Sequence, residues 1–190
     1  MTAELAEYYT TPEDYLAGER VSQQRHEYLA GVIYAMAGTT IEHGRIVTNI
    51  VATLVQQLRG GPCDVFSNDI KVHIKTDVAQ FYYYPDVVVD CGNPAPESLF
   101  AKEPRAIFEV LSPDTERIDR VEKLRNYQGI PTLDLYALVD QHHMAVTLYR
   151  RAESGWAREF LFQKDHAVAL PSAGFELPLA AIYERTYLLK

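Results

Sequence analysis

Two carboxylates of this chain lie in strongly apolar segments. Glu109 is embedded in the run Ile107-Phe-Glu-Val-Leu111, and Asp86 opens the run Asp86-Val-Val-Val-Asp90 directly after Pro85. A lone ionised carboxylate in such surroundings is costly, so it must be paired, protonated or bound to a metal. If the two segments are neighbouring strands, the acids can converge, and two carboxylates about 4 Å apart repel by roughly 4 kcal/mol at an effective dielectric near 20. Such pairs commonly surround a divalent cation, and oxygen-only ligands favour magnesium, manganese or calcium over zinc.

The third candidate is Lys123, in a segment after Glu109 that is predicted to be a helix. The residues predicted to share its helix face, at three- and four-residue spacing, are Glu116, Arg120 and Tyr127. A lysine there could lean over the end of the strand, orient or help to deprotonate a nucleophilic water, and offset charge on a phosphate. Two alternatives stay open at this point: a solvated Lys123 paired with Asp119, which spacing alone favours, and a Glu109 that simply pairs with a core arginine or lysine.

Weaker candidates surround these three. His43 lies on the apolar stripe of a predicted helix, where a hydrogen-bonded core or capping histidine is the more common role. Asp69 is expected either near the site or in solvent, and a metal site at His142 and His143, in a predicted turn, is not expected. The tyrosines at 82–84 could stack bases, but packing over a sheet edge is favoured.

Hydrophobic periodicity predicts the elements that must position these residues. A helix is expected from Pro12 to about Glu19, two short strands around Gly31, a helix over about 40–59, and an alternating strand over 70–75. Continuous apolar strands follow at 86–90 and 106–111, then a helix over about 112–128, a strand pair at 133–139 and 145–149, a further strand, and a short helix after Pro178. This order predicts an α/β (mixed α+β) fold, a mixed sheet flanked by helices, in a single domain spanning 1–190.

Composition sets limits on location and partners. The 190 residues carry a net charge of -8, which argues against generic nucleic-acid binding, although a bound divalent metal would reverse the local field. No apolar run is long enough for a membrane span, and the opening Met1-Thr-Ala-Glu-Leu-Ala-Glu is acidic where a signal peptide is basic. The two cysteines, Cys63 and Cys91, are expected to be buried and fit a reducing compartment. A cytoplasmic protein without a membrane partner is therefore expected.

Several short motifs together resemble the Uma family of restriction endonucleases, a branch of the PD-(D/E)XK nuclease superfamily. They are Pro85-Asp86, Glu109-Val-Leu-Ser-Pro113, Asp119-Arg-Val-Glu-Lys123 with Tyr127, His26-Glu-Tyr-Leu29 and Met36-Ala-Gly38. The resemblance runs from the opening helix to at least Tyr149 and implies a restriction-endonuclease-like core. It further implies Mg²⁺, for which Mn²⁺ can substitute, held by Asp86, Glu109 and the carbonyl of Val110. Glu27 matches a glutamate that such folds place near the metal, and a homodimer is implied as well.

The sequence departs from the superfamily pattern at two positions. Leu111 stands where the motif lysine is usual, so the resemblance requires Lys123 to take its place. Leu135 stands where relatives carry a glutamate, and compensation by Asp134 is an open question. The first hypothesis is a metal-dependent endonuclease that hydrolyses phosphodiester bonds in DNA. The alternatives are a catalytically weak or inactive module that binds protein or nucleic acid, and a hydrolase of another phosphoester or small substrate.

Overall fold

The computed structural model describes residues 9–36, 38–113 and 115–189. Three sequence-based expectations touch residues outside these ranges: the acidic opening segment 1–7, Ala37 in the Met36-Ala-Gly38 motif, and Asp114 near the start of the third predicted helix.

The helices begin and end close to the predicted positions. The described helices are α1 (Pro12–Glu19), α2 (Ile41–Leu58), α3 (Glu116–Ile118), α4 (Leu124–Gln128) and α5 (Leu179–Ile182), with a π-helical turn (Asp119–Lys123) between α3 and α4. Thr11 caps α1 by accepting a hydrogen bond from the backbone N–H of Asp14, and Pro12 occupies the first turn, as expected. The predicted stripe of α2, which includes Ile50 and Leu54, is buried. None of the helices in the described part of the chain has the length and apolar character needed to cross a membrane.

Twelve described strands form three sheets. The strands are β1 (His26–Leu29), β2 (Val32–Ala35), β3 (Asp64–Phe66), β4 (Val72–Lys75), β5 (Gln80–Tyr83), β6 (Val87–Asp90), β7 (Pro104–Leu111), β8 (Leu135–Asp140), β9 (Val146–Ala152), β10 (Gly155–Leu161), β11 (Ala167–Leu170) and β12 (Phe175–Pro178). The central sheet has the order β10-β9-β8-β7-β6-β3, and its β7–β8 pair is parallel while the others are antiparallel. The second sheet has the order β2-β1-β5-β4, and β11 pairs with β12. The fold is therefore the predicted mixed α+β type.

The central sheet separates two layers of different composition. Phe108 and Val110 of β7 point into an apolar core with α2, α5 and the β11–β12 hairpin. Ile107 and Leu111 point to the opposite face, where they pack with α4 and with the second sheet. Because side chains alternate along a strand, Glu109 shares this second face.

Some elements differ from prediction. The strands β3 and β5 and the β11–β12 hairpin were not predicted. The tyrosines at 82–84 lie buried in and beside β5, inside the second sheet rather than over an edge. Cys63 and Cys91, expected as separate buried side chains, form a disulfide. The reason is register: Asp64 of β3 pairs with Asp90 of β6, so the cysteines just beyond them face each other.

Candidate active site

The two acids predicted to converge do so through the pairing of β6 with β7. Val87 pairs with Phe108, which places Asp86 beside Glu109. The backbone N–H of Asp86 donates to Glu109 Oε2 over 3.2 Å, and the backbone N–H of Val110 donates to Asp86 Oδ2 over 2.7 Å. Each acid is thus fixed by a main-chain donor of the neighbouring strand, and the arrangement depends on strand register rather than on flexible side chains.

Lys123 lies in the same cluster. Its Nζ is 3.1 Å from Glu109 Oε1 and 3.1 Å from Glu27 Oε1, which comes from β1. The lysine is only 6% exposed, so the interpretation of Lys123 as a solvated surface residue is wrong. Pairing of Glu109 with a core lysine was the other alternative to metal binding, and that pair is present, with Lys123 as the partner.

A fourth carboxylate, Asp119, belongs to the cluster and was not predicted as a site residue. Asp119 is 2% exposed, and its Oδ1 lies 3.3 Å from Lys123 Nζ without completing a hydrogen bond of good geometry. The predicted helix face was wrong by one residue at this point, because Arg120 pairs with Glu116 towards solvent instead. Asp119 and Lys123 are four residues apart and share the buried face of the π-helical turn.

Two buried tyrosines donate hydrogen bonds to residues of the cluster. Tyr127 donates its hydroxyl to Glu109 Oε1 over 3.1 Å, and Tyr136 donates to the backbone carbonyl of Asp119 over 3.0 Å. Burial, with added repulsion from the acids, raises the pKa of both phenols well above its usual value, so they stay protonated donors. Tyr127 was predicted only as a neighbour of Lys123 on the helix face.

His43 contacts the other side of the cluster from the first turn of α2. Its Nε2 lies 3.2 Å from Asp86 Oδ2, and its backbone N–H is capped by the Thr40 hydroxyl. Burial lowers the pKa of His43, but the hydrogen bond and charge of Asp86 outweigh burial and leave this pKa raised. The core-histidine interpretation is thus correct about burial, yet the side chain touches a candidate catalytic acid.

The cluster contains more acids than bases. Glu27, Glu109 and Asp119 lie within 3.3 Å of the Lys123 ammonium. Asp86 adjoins Glu109 and faces His43. Burial is the main cause that raises the pKa of Glu109 well above its usual value, with neighbouring acids adding to it and Lys123 opposing it. The pKa of Asp119 is raised for the same reason, while the carboxylates overcome burial and raise the pKa of Lys123. Four acids thus face two basic partners, Lys123 and His43.

The donor set fits an open divalent-cation site rather than a closed protein cage. In the described ranges, no group of three or more histidine, cysteine, aspartate or glutamate side chains converges with metal-binding geometry. Magnesium is usually held by one or two carboxylates and keeps several waters, and Asp86 with Glu109 supplies that pair. The unneutralised acid charge and the Asp119 oxygen without a hydrogen bond are the features that a cation would relieve. Val110 binds Asp86 through its N–H, and a role for its carbonyl stays a prediction.

The remaining candidates lie outside the cluster or serve structure. Asp69 forms a partly exposed ion pair with Arg25. His143 pairs with Asp140 in the turn after β8. Asp134 pairs with Arg105 at 2.5 Å. It therefore does not replace the glutamate that relatives carry at the position of Leu135.

Comparison with known proteins gives consistent matches. The Uma2 family model, with the description "Putative restriction endonuclease", matches residues 12–180. Uncharacterized protein slr1290 of Synechocystis sp. (strain ATCC 27184 / PCC 6803 / Kazusa) is 34% identical over 174 residues, which are 91% of this chain and 90% of the relative. Uncharacterized protein sll1609 of the same organism is 28% identical over 144 residues, 74% of this chain and 80% of the relative.

A solved structure shares the fold. The crystal structure of a "putative nuclease belonging to DUF820" from Anabaena variabilis ATCC 29413 superposes with a TM-score of 0.68 over 85% of this chain and 91% of that chain. At 18% identity this likeness concerns the fold, and it confirms the predicted nuclease-like architecture.

Proposed function

The chain belongs to the Uma2 family, and from this membership and the acid cluster we propose that it is a divalent-metal-dependent endonuclease that hydrolyses phosphodiester bonds in DNA. The observation that carries the proposal is the position of Lys123, buried between Glu27, Glu109 and Asp119. Gathering three acids around one amine, with Glu109 and Asp119 buried, opposes folding, and such an arrangement is expected where function requires it.

Asp86 and Glu109 would hold the cation, Mg²⁺ or Mn²⁺, with the carbonyl of Val110 as a further ligand. When bound, such a cation polarises the phosphoryl oxygens and makes a neutral-pH nucleophile available from water. The backbone N–H groups of Asp86 and Val110 fix the orientation of the two carboxylates. His43 supports Asp86 from the N-terminus of α2, where Thr40 caps the backbone N–H of His43.

Lys123 acts in this proposal as a fixed cation. Because the neighbouring carboxylates raise its pKa, the amine stays protonated at neutral pH and cannot serve as a general base. It would donate hydrogen bonds to the attacking water and offset charge on the scissile phosphate. Glu27 and Asp119 hold the ammonium in place from two further elements, β1 and the π-helical turn.

Leu111, the apolar residue at the usual lysine position, is consistent with activity if Lys123 supplies the amine instead. Leu111 is buried and supplies no amine, but Lys123 reaches Glu109 Oε1 from the helical side. The departure that suggested an inactive binding module is therefore compensated by the neighbouring element. Restriction-like folds often cut the two strands of a duplex as dimers, so the proposal includes a homodimer.

Cleavage of plasmid DNA by purified protein in Mg²⁺ or Mn²⁺ tests the proposal. We expect nicked and linear products from the wild type and at least about a hundredfold less cleavage from Asp86→Ala, Glu109→Gln and Lys123→Met. Asp64→Asn is the matched control, because Asp64 is an exposed acid on β3. RNA and bis-p-nitrophenyl phosphate in parallel distinguish DNA cleavage from other phosphoester hydrolysis. Cleavage that is equal in all variants, or absent from the wild type, would contradict the proposal.

A further inference from the structure

A row of side chains continues from the acid cluster across the central sheet. Glu109 of β7 pairs with Leu138 of β8, Leu138 pairs with Thr147 of β9, and Thr147 pairs with Phe160 of β10. Residues paired across neighbouring strands point to the same face of a sheet. Three strand spacings of about 4.8 Å place the backbone of Phe160 roughly 14 Å from that of Glu109 on this face.

An open cleft occupies the outer part of this face. Its volume is about 530 Å³, within the range of roughly 300–1,000 Å³ typical of small-ligand sites. The floor includes Leu138 and Thr147 of the row above, and Leu111 lies at the end nearest the acid cluster. Arg120, from the π-helical turn that also carries Asp119 and Lys123, lines the cleft as well. The cleft and the acid cluster therefore share both the helical segment and the sheet face.

Two exposed aromatic rings line the cleft. Phe160 is 54% exposed and Phe162 is 55% exposed, and their ring centroids lie 5.7 Å apart with an interplanar angle of 26°. Large apolar side chains exposed side by side commonly mark an interaction site. Flat rings that are accessible to solvent suit the stacking of unpaired bases, which every base can make through its π face.

Basic side chains line part of the cleft, although the chain carries a net charge of -8. Arg158 and Arg120 contribute two guanidinium groups, of which Arg120 is paired with Glu116. The acid in the lining, Asp140, is occupied by backbone N–H groups of the turn that follows it, at His142 and His143. Exposed aromatic rings beside guanidinium groups match the chemistry that binds single-stranded nucleic acid.

We infer that this cleft binds unpaired nucleobases of the substrate strand, stacked on Phe160 and Phe162, with Arg120 and Arg158 contacting the adjacent phosphates. The inference deepens the proposed function and rests on it, because the strand seated in the cleft is the one whose phosphodiester would reach the acid cluster.

Binding is measured separately from cleavage, so that failure of one idea does not hide the other. Fluorescence anisotropy of a labelled oligothymidine and of a labelled duplex is recorded in EDTA, where cleavage cannot occur. We expect Phe160→Ala/Phe162→Ala to weaken binding of the single strand by about tenfold or more, with a smaller effect on the duplex. Phe160→Tyr, which keeps a stacking ring, should bind like the wild type, and so should Val78→Ala, at an exposed apolar position in the turn between β4 and β5.

Each outcome decides the inference. If single-strand binding is lost in the double variant while no protein cleaves any substrate, the cleft is a nucleic-acid site and only the proposed nuclease activity fails. If the double variant binds the single strand as tightly as the wild type, or if the wild type does not bind it, the inference is overturned. It is also overturned if the double variant instead converts a dimer to a monomer in sedimentation velocity, because the cleft would then hold a second copy of this chain.

Discussion

The two faces of β7 bury different kinds of side chain, apolar on one face and charged on the other. On one face, Phe108 and Val110 pack into an apolar core with α2, and their burial favours folding at about 25 cal/mol per Å² of apolar surface. On the other face, Glu109 is equally inaccessible but lies in a cluster of four acids and one lysine, where desolvation offsets much of the attraction. The difference shows that this strand separates an apolar, stabilising face from the face of the candidate site across the thickness of one sheet.

The largest expected effect lies on the apolar face. Phe108→Ala should lower the free energy of unfolding by about 3–5 kcal/mol, since it removes a fully buried ring and leaves a cavity. Urea denaturation measures the change. Phe160→Ala is the matched control, because that residue is 54% exposed and its loss should cost only about 1 kcal/mol. Equal losses in the two variants would show that Phe108 does not anchor the core.

Removing the ammonium should destabilise the other face almost as much. Lys123→Met leaves Glu27, Glu109 and Asp119 without their shared cation, and breaking a buried pair in this way costs about 3–5 kcal/mol. The loss is measured by urea denaturation in EDTA at pH 8, with the exposed Lys75→Met as control. If Lys123→Met were as stable as the control, the acids would not depend on this lysine.

Replacing an acid of the cluster should raise the stability, by a smaller amount than the loss expected for Lys123→Met. Glu109→Gln keeps the shape but removes a buried negative charge, while Lys123 retains Glu27 and Asp119. We expect stability in EDTA to rise by about 0.5–2 kcal/mol, with Tm rising by about 2–4 °C per kcal/mol, and cleavage to be lost. A less stable variant would mean that the pair with Lys123 contributes more than desolvation costs, which would weaken the comparison between the faces.

The pH dependence follows from the same charges. The folded-state pKa values of Glu109 and Asp119 are raised above their ordinary values of 4.5 and 3.8, so the native protein binds more protons than the unfolded chain. Their contribution is complete below the ordinary values and is lost as the pH rises through the raised ones. Metal-free wild type should therefore gain stability relative to Glu109→Gln as the pH falls from 8 to 5.5 in thermal denaturation. A parallel dependence in the two proteins would contradict a buried, charged Glu109.

The smallest effect is expected on the solvent side of the same helical segment. Arg120 Nε lies 2.7 Å from Glu116 Oε1, closer than the 3.1–3.3 Å of the pairs around Lys123, but the side chains are 34% and 48% exposed. Glu116→Ala should cost only about 0.3–0.5 kcal/mol, measured beside Lys123→Met under the same conditions. A loss comparable to that of Lys123→Met would show that burial does not distinguish the two sides.

The local sequence pattern was sufficient to predict features that lie within a single helix or strand. The stripe of α2 and the apolar runs around Asp86 and Glu109 predicted a helix and two strands, because periodicity and burial are encoded within a few residues. The convergence of the two acids required one further assumption, that the strands are neighbours, and the β6–β7 register fulfils it.

Features that depend on nonlocal geometry were missed. Asp119 resembled a solvated helix acid because its spacing to Lys123 indicates a pair but not that the pair is buried. The disulfide between Cys63 and Cys91 depends on the pairing of β3 with β6, and β3 has only three residues and gave no pattern. The contact of His43 with Asp86 likewise depends on how α2 is placed against the sheet.

Calorimetric titration of the wild type with Mn²⁺ tests most directly whether the buried acids form a cation site. We expect one ion to bind per chain and to raise Tm. The heat of binding and the rise in Tm should both be absent in Asp86→Ala and unchanged in Asp64→Asn. Binding that survives Asp86→Ala, or a wild type that takes up no Mn²⁺ at millimolar concentration, would show that Asp86 and Glu109 form a structural ion cluster and not a metal centre.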